Sequence, residues 1–404
     1  MNSLTSTLAS LSSKNEKLVL GLMSGTSMDG LDLALCRITG HGANTEVDLL
    51  AFSTRPYTPE MKEQLQDIVS VSQCSLEDVC LMNSVIGNFT GRVILEALEK
   101  WEWEPADVDC VASHGQTIYH APVNKHERPG FPHATLQIGD GDHIAQVTGI
   151  PTISDFRQKH TAAGGEGAPM VAPVDRVLFT DAAVDRLLLN IGGIANFTYL
   201  PAVSSSSVEV SGDTGPGNTL MDKAARRCLS RPFDQGGAVA REGTVNEPLL
   251  SALKADPYFD LELPKTTGPE RFNWEYVSQA QRQSGTADLK PEDLLATLTL
   301  LTADTIAEAV AAIPRSGPLQ VLVSGGGIHN HFLMDNLEEK LPETTFSSFS
   351  EQYFNADAKE AVCFAVLANE TLSGKGFHID PQQPERKLHF GKISVPDCET
   401  GKEN

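Results

Sequence analysis

The sequence predicts an α/β fold built from two similar halves, and three observations predict it. An apolar strand, a small-residue turn and a second apolar strand run from Leu18 to Ile38. The same order returns from Leu187 to Leu200. Between and after these hairpins, strands and helices alternate along the chain, whose 404 residues are enough for two or three domains. Gly25 and Gly192 thus mark two hairpins of one design, which reads as a duplicated architecture. The expected organisation is a disordered tail over 1–15, a first lobe over 16–149, a second over 150–393 and a frayed end over 394–404.

Taken in order, Met1 to Glu16 is rich in Ser and Thr and carries Lys only at Lys14. It lacks a basic start followed by a long apolar core, so a tail is expected and not a secretory signal. In the first hairpin the turn from Ser24 to Gly30 has Met28 as its only bulky member. Its backbone N–H groups can close around a phosphate, Ser24, Thr26 and Ser27 add hydroxyls, and Asp29 and Asp32 can hold a cation. The turn has neither the Lys of a P-loop nor the G-x-G-x-x-G spacing of a dinucleotide site. Its plain alternative is a tight hairpin turn. Thr45 to Ser53 reads as a strand and Pro59 to Val71 as a helix. A longer helix runs from Leu76 to Trp101, with Ser75 as N-cap and Asp78 at its third position. Val108 to Ala112 is a short strand that ends in Ser113-His-Gly-Gln-Thr-Ile-Tyr-His120. Asp142 to Thr148 is a short helix. Asp155 to Pro173 is too rich in Gly, Ala and Pro for a core element and reads as a functional loop.

In the second half, Arg186 to Leu200 is the second hairpin, and Gly212-Asp-Thr-Gly-Pro-Gly-Asn218 leads into a helix over Thr219–Leu229. A long helix follows over Leu294–Ile313, then a strand over Leu319–Val323. Ser324-Gly-Gly-Gly-Ile-His-Asn330 turns from strand to helix, and a helix over Ala358–Leu372 closes this half.

Net charge is −22, with 40% hydrophobic and 21% charged residues, which suits a globular protein with a sizeable core. A surface so acidic argues against nucleic acid and against an anionic membrane as partners. No window approaches the ~18–20 apolar residues needed to span a bilayer. The seven cysteines include no C-x-x-C pair, which fits a reducing cytoplasm and gives no hint of zinc.

Five features can carry chemistry, each with a plainer reading beside it. Asp213 is either a general base or an Asx-turn or helix cap. Ser324-Gly-Gly-Gly327 receives a base or phosphate, or is a bare turn. His114 and His120 flank Gln116 and Thr117 as polar substrate contacts or as satisfied core residues. Arg157 holds an anion or forms a surface ion pair. Glu360 faces Mg²⁺ or complements a helix dipole.

In sequence these blocks closely resemble the anhydro-N-acetylmuramic acid kinase family, in the sugar kinase, actin and Hsp70 superfamily. The resemblance rests on Met23-Ser-Gly-Thr-Ser-Met-Asp-Gly-Leu-Asp32, Ser113-His-Gly-Gln-Thr117, Leu136-Gln-Ile-Gly139, Asp155-Phe-Arg157, Gly167-Ala-Pro169, Asn190-Ile-Gly-Gly-Ile-Ala-Asn196, Asp213-Thr-Gly-Pro-Gly-Asn218 and Ser324-Gly-Gly-Gly327. It implies a two-lobed actin-like ATPase (ribonuclease H-like) fold with a central cleft for ATP and substrate. It also implies a cytoplasmic enzyme of cell-wall recycling, a family in which dimers are common. Such enzymes open the ring of a 1,6-anhydro sugar with water while phosphorylating O6.

Carried over, Gly25, Thr26, Ser27, Met28, Asp29, Gly30, Leu31 and Asp32 bind ATP phosphates. Gly192, Gly193 and Asn196, with Gly325, Gly326 and Gly327, complete the nucleotide site. Asp213 activates water, and Asp29 and Glu360 serve Mg²⁺. His114, Gln116, Thr117, Arg157, Gly215 and Asn218 meet the sugar. His160, Glu166 and Asp175 stand where the family usually has Asp, Gln and His, and they are expected to flank the cleft. Two alternatives stay open: a levoglucosan kinase-like enzyme, and a non-enzymatic actin-like or chaperone-like ATP binder.

Overall fold

The computed structural model describes residues 4–25, 27–315, 317–378 and 386–397. Thr26 and Cys398 lie outside the described residues. The chain forms two compact units, one of residues 1–178 with 357–404 and the other of 179–356. This corrects the expected boundaries, because strands and helices follow packing and not chain order. Residues 150–178 and 357–393, placed by sequence in the second lobe, belong to the first unit.

The first unit is built on a sheet whose leading strands are β1 (Glu16–Ser24), β2 (Gly30–Thr39), β3 (Glu46–Pro56) and β4 (Cys110–Ala121). β5 (Ala134–Ile138) pairs with the far end of β4, and β6 (Thr152–Ser154) pairs with β4 on the side away from β1. The spatial order is β3-β2-β1-β4-β6. β1 and β2 are antiparallel, as are β2 and β3, whereas β1 to β4 and β4 to β6 are parallel. The helix Lys359–Leu372 packs on β1, β2 and β4. Its residues from Ala361 to Glu370 are all buried, and from Ala361 to Ala368 they are apolar on every face, as in a core helix. The helix Leu76–Lys100 starts on Ser75, whose side chain accepts from Asp78 N, as predicted.

The second unit repeats the plan with β7 (Asp185–Ile191), β8 (Ile194–Leu200), β9 (Val210–Pro216), β10 (Leu319–Ser324) and β11 (Thr344–Ser348). Its order is β9-β8-β7-β10-β11, with the same antiparallel and parallel senses. The five strands of the second unit thus match five of the seven in the first unit's sheet, each set a ribonuclease H-like arrangement that opens with a hairpin, and the duplication read from Gly25 and Gly192 is present in the topology.

Several expectations are corrected. Leu4–Ser13 is a helix with Leu11 buried, where a disordered tail was expected. The helix from Pro59 ends at Gln66 and not Val71, because Ser70 adopts a left-handed backbone and its N–H turns to Ile118 O at 2.7 Å. Within the supposed loop Asp155–Pro173, Phe156–Ala162 forms a helix whose Phe156 is buried. Lys392–Ser394, at the edge of the expected frayed end, pairs antiparallel with β6. Finally, the helix Pro291–Ala311 is long and apolar enough to cross a membrane by length and composition. It is instead a core helix of the second unit, with 72% of its apolar window buried.

Candidate active site

Two groups of residues stand at the strand ends where such sheets leave their reactive loops, one group in each unit. In the first unit the turn after β1 is held from below. Tyr57 donates to Ser24 Oγ at 2.9 Å, and Ser24 donates to Gln116 Oε1 at 2.6 Å. Gln116 Nε2 in turn donates to the carbonyls of Gly25 and Thr117, each at 3.2 Å. Gln116 is wholly buried, and its amide shapes the turn. Thr117 is likewise engaged, accepting from Gln137 Nε2 at 3.1 Å. Tyr57 lies outside every motif in the sequence.

Within the turn the small residues have different reasons. A Cβ on Gly30 would lie 2.4 Å from Arg55 O, so Gly30 lets β3 approach closely. A Cβ on Gly25 would meet little but Ser27 Oγ, which leaves its backbone open to a ligand. Leu31 is buried in the core and can offer only its backbone. Asp29 is exposed and pairs with Lys62 at 3.0 Å, and that hydrogen bond holds its carboxyl below the usual range.

Asp32 and Glu360 are the better-placed acids. Burial raises both carboxyls above the usual range, and the charge of Asp32 raises Glu360 further while Arg157 pulls it back. Arg157 is placed by His114, whose Nε2 accepts from Arg157 Nε at 2.8 Å, and by Gly167 O at 2.8 Å from Nη1. His114 Nδ1 lies 2.8 Å from Gly115 O, so it carries the proton and the ring is neutral. Burial and the Arg157 charge bring the His114 pKa down to about 3. His114 is therefore a satisfied core histidine that orients Arg157. His120 is also lowered, by burial and then by Arg157.

Of the three positions that depart from the family pattern, Asp175 is buried and pairs with Lys359 at 2.8 Å, beside Glu360 in sequence. It supports the start of the Lys359 helix from within the unit. His160 stands one helical turn after Arg157, with a buried Nδ1 that has no hydrogen-bond partner among the described residues. Glu166 is exposed.

In the second unit the turn between β7 and β8 is stitched to the helix Thr219–Leu229. Asn218 N donates to Gly192 O at 2.8 Å and Gly217 N to Gly193 O at 2.9 Å. Asn218 Nδ2 adds bonds to Ile191 O at 2.9 Å and Gly192 O at 3.1 Å. The third glycine turn is pressed onto this one: a Cβ on Gly325 would lie 2.6 Å from Asn190 Oδ1, and one on Gly327 would lie 2.2 Å from Ile191 Cγ2. Gly326 between them is exposed. It lines a cavity of about 550 Å³ with Asn218, Asp222, Phe233 and His331. That volume is in the range of small-molecule sites. Burial raises the Asp222 carboxyl. Phe233 and Asp222 had no motif to announce them.

Asp213 lies on β9, opposite Asn196 of β8. Its Oδ2 accepts from Thr267 N at 2.8 Å, a residue far along the chain, and it does not cap the following helix. The Asx-turn and cap readings therefore fall. Tyr258 donates to Asp213 O at 2.7 Å. Burial raises the Asp213 carboxyl, and the Thr267 amide draws it partly back. A half-buried carboxylate with one oxygen held and a raised pKa is equipped to take a proton. Gly215 is buried two residues after Asp213. Among the described residues no group of three or more His, Cys, Asp or Glu could hold a metal by itself.

Comparison with known proteins identifies the family. The family model for anhydro-N-acetylmuramic acid kinase matches residues 17–378. An anhydro-N-acetylmuramic acid kinase of Pseudoalteromonas atlantica is 47% identical over 395 residues, covering 95% of this chain and 97% of that protein. One from Caldanaerobacter subterraneus is 39% identical, covering 95% and 98%. Among solved structures, the activator of the 2-hydroxyisocaproyl-CoA dehydratase from Clostridium difficile with bound ADPNP is 12% identical. It covers 92% of this chain and 98% of that one at a TM-score of 0.42. The chain belongs to the anhydro-N-acetylmuramic acid kinase family.

Proposed function

We propose that this sugar kinase uses ATP to phosphorylate 1,6-anhydro-N-acetylmuramic acid at O6 while water opens the anhydro ring. The observation that carries the reading is Asp213, a raised carboxylate fixed by a backbone amide on the strand after the second hairpin. Asp213 takes a proton from water as the water oxygen bonds to C1. The C1–O6 bond breaks with its electron pair on O6, and O6 takes the γ-phosphoryl group as ADP leaves. The product is N-acetylmuramate 6-phosphate. Positioning and charge neutralisation supply most of such a transfer.

In this reading the turn from Gly25 to Asp32 offers backbone N–H groups and hydroxyls to phosphate. The cavity beside Gly326 takes the nucleoside, with Phe233 at its edge. Arg157 serves the sugar. Asp32 and Glu360, hard oxygen donors of which the first opposes ionisation of the second, suit Mg²⁺ better than Asp29, which is paired with Lys62. When bound, Mg²⁺ neutralises phosphate charge. Glu360→Gln should therefore raise the Mg²⁺ concentration for half-maximal activity about 10-fold or more, read from a metal titration at saturating ATP. The six described cysteines are free thiols, which supports a reducing cytoplasm.

The muramic acid sugar is favoured over levoglucosan, and an enzyme over a mere ATP binder, because the relatives carry the kinase name at high coverage. ADP release measured with each anhydro sugar in parallel tests this. Turnover with the muramic acid sugar is expected. Turnover with levoglucosan alone, or with neither, refutes the proposal.

A further inference from the structure

We infer that the Thr267 hydroxyl is a second anchor for the attacking water, working beside Asp213; this rests on the proposed role of Asp213 as base. The segment around Thr267 runs beside β9. Asp213 N donates to Lys265 O and Thr267 N donates to Asp213 Oδ2, both at 2.8 Å. A Cβ on Gly212 would lie 3.1 Å from Lys265 O, so the two backbones are pressed together there. Lys265 is fixed in turn. Its Nζ donates to Tyr258 O and Phe259 O, each at 3.2 Å, and stands 4.6 Å over the Tyr258 ring. Tyr258 closes the circuit by donating to Asp213 O.

This clamp delivers more than an amide. Thr267 Oγ1 is buried and has no hydrogen-bond partner among the described residues, one of four such side-chain atoms. A buried hydroxyl without a partner is costly, and a fold seldom keeps one without a use. Thr267 carries it on the same residue whose amide holds the base.

The chemistry needs a group of this kind. A water that gives one hydrogen to Asp213 has a second O–H to satisfy, and the direction of that bond aims its lone pair. A threonine oxygen has lone pairs to accept it. One hydrogen passes to Asp213 and the oxygen bonds to C1. The other hydrogen remains on the new hydroxyl, bonded to Thr267 Oγ1, and the C1–O6 electron pair leaves on O6.

The test compares Thr267→Val, Thr267→Ser and Asp213→Asn in the full chain by steady-state kinetics and pH–rate profiles. Valine keeps the shape and the backbone amide and loses only the hydroxyl. Thr267→Val should lower kcat by about 5- to 20-fold, the worth of one hydrogen bond, with KM for ATP and the acid limb of the profile in place. Thr267→Ser should stay within about twofold of the parent, since it retains the hydroxyl. If Thr267→Val does not fold, Thr267→Ala against Thr267→Ser makes the same comparison. The inference is overturned by a normal rate in the valine variant, by a serine variant as slow as valine, or by an acid limb that moves with kcat. A slow Asp213→Asn beside a normal Thr267→Val removes the hydroxyl's role alone. A near-normal Asp213→Asn removes the base and this inference together.

Discussion

Asp213→Asn should lower kcat by about 10²–10⁴-fold, the usual worth of a positioned general base, while ATP binding stays close to normal. Asparagine keeps the acceptor for Thr267 N, so the strand and its clamp persist and only proton uptake is lost. Calorimetric titration with a non-hydrolysable ATP analogue separates the two effects. The pH dependence follows from the same carboxyl. A base works only when ionised, so the rate falls as pH drops through its pKa. Burial raises that pKa, with the Thr267 amide opposing, so the acid limb should lie above that of an ordinary aspartate. In the asparagine variant the residual rate should have no such limb. A variant with a near-normal rate would remove Asp213 from the chemistry.

Gly21→Ala should be the most damaging single-methyl change in the first unit. A Cβ at Gly21 would lie 1.9 Å from Ala361 O and 3.0 Å from Ala365 Cβ. Both belong to the helix Lys359–Leu372, whose buried backbone cannot move aside as a flexible side-chain end would. Strand and helix must part, at a cost of about 1–3 kcal/mol or more. The displaced helix carries Glu360 one residue before the point of collision. Thermal unfolding should begin several degrees lower, and the folded variant should need more Mg²⁺ than the parent. An unchanged melting curve would mean that the β1–helix spacing is looser than the structure has it.

Much of the frame was legible from local pattern. Hairpins announce themselves by apolar runs around small residues, and a side-chain N-cap such as Ser75 lies next to the groups it satisfies. The site was legible only in part. His114 and Gln116 stand in a motif that invites a ligand-facing reading, but their polar atoms are taken by Arg157, Ser24, Gly25 and Thr117. Partners 43 and 92 residues away are invisible to any local rule. Asp29 and Asp32 look equivalent in the turn. Lys62 claims the first, and burial sets the second apart. Tyr57, Phe233 and Thr267 carry no pattern at all, since a single residue of a common type has no period or spacing.

The order of residues by itself determined the repeated hairpin, the alternation of strand and helix, and the presence of acids and glycines at the turns. These depend on backbone preference and on neighbours within a few positions. Tertiary structure alone decided that the chain returns after residue 356 to complete its first unit. It decided too which polar atoms are already satisfied and which carboxyls burial raises. Hydrogen bonding and desolvation depend on what lies within a few ångströms in space, and folding brings there residues that the sequence keeps far apart.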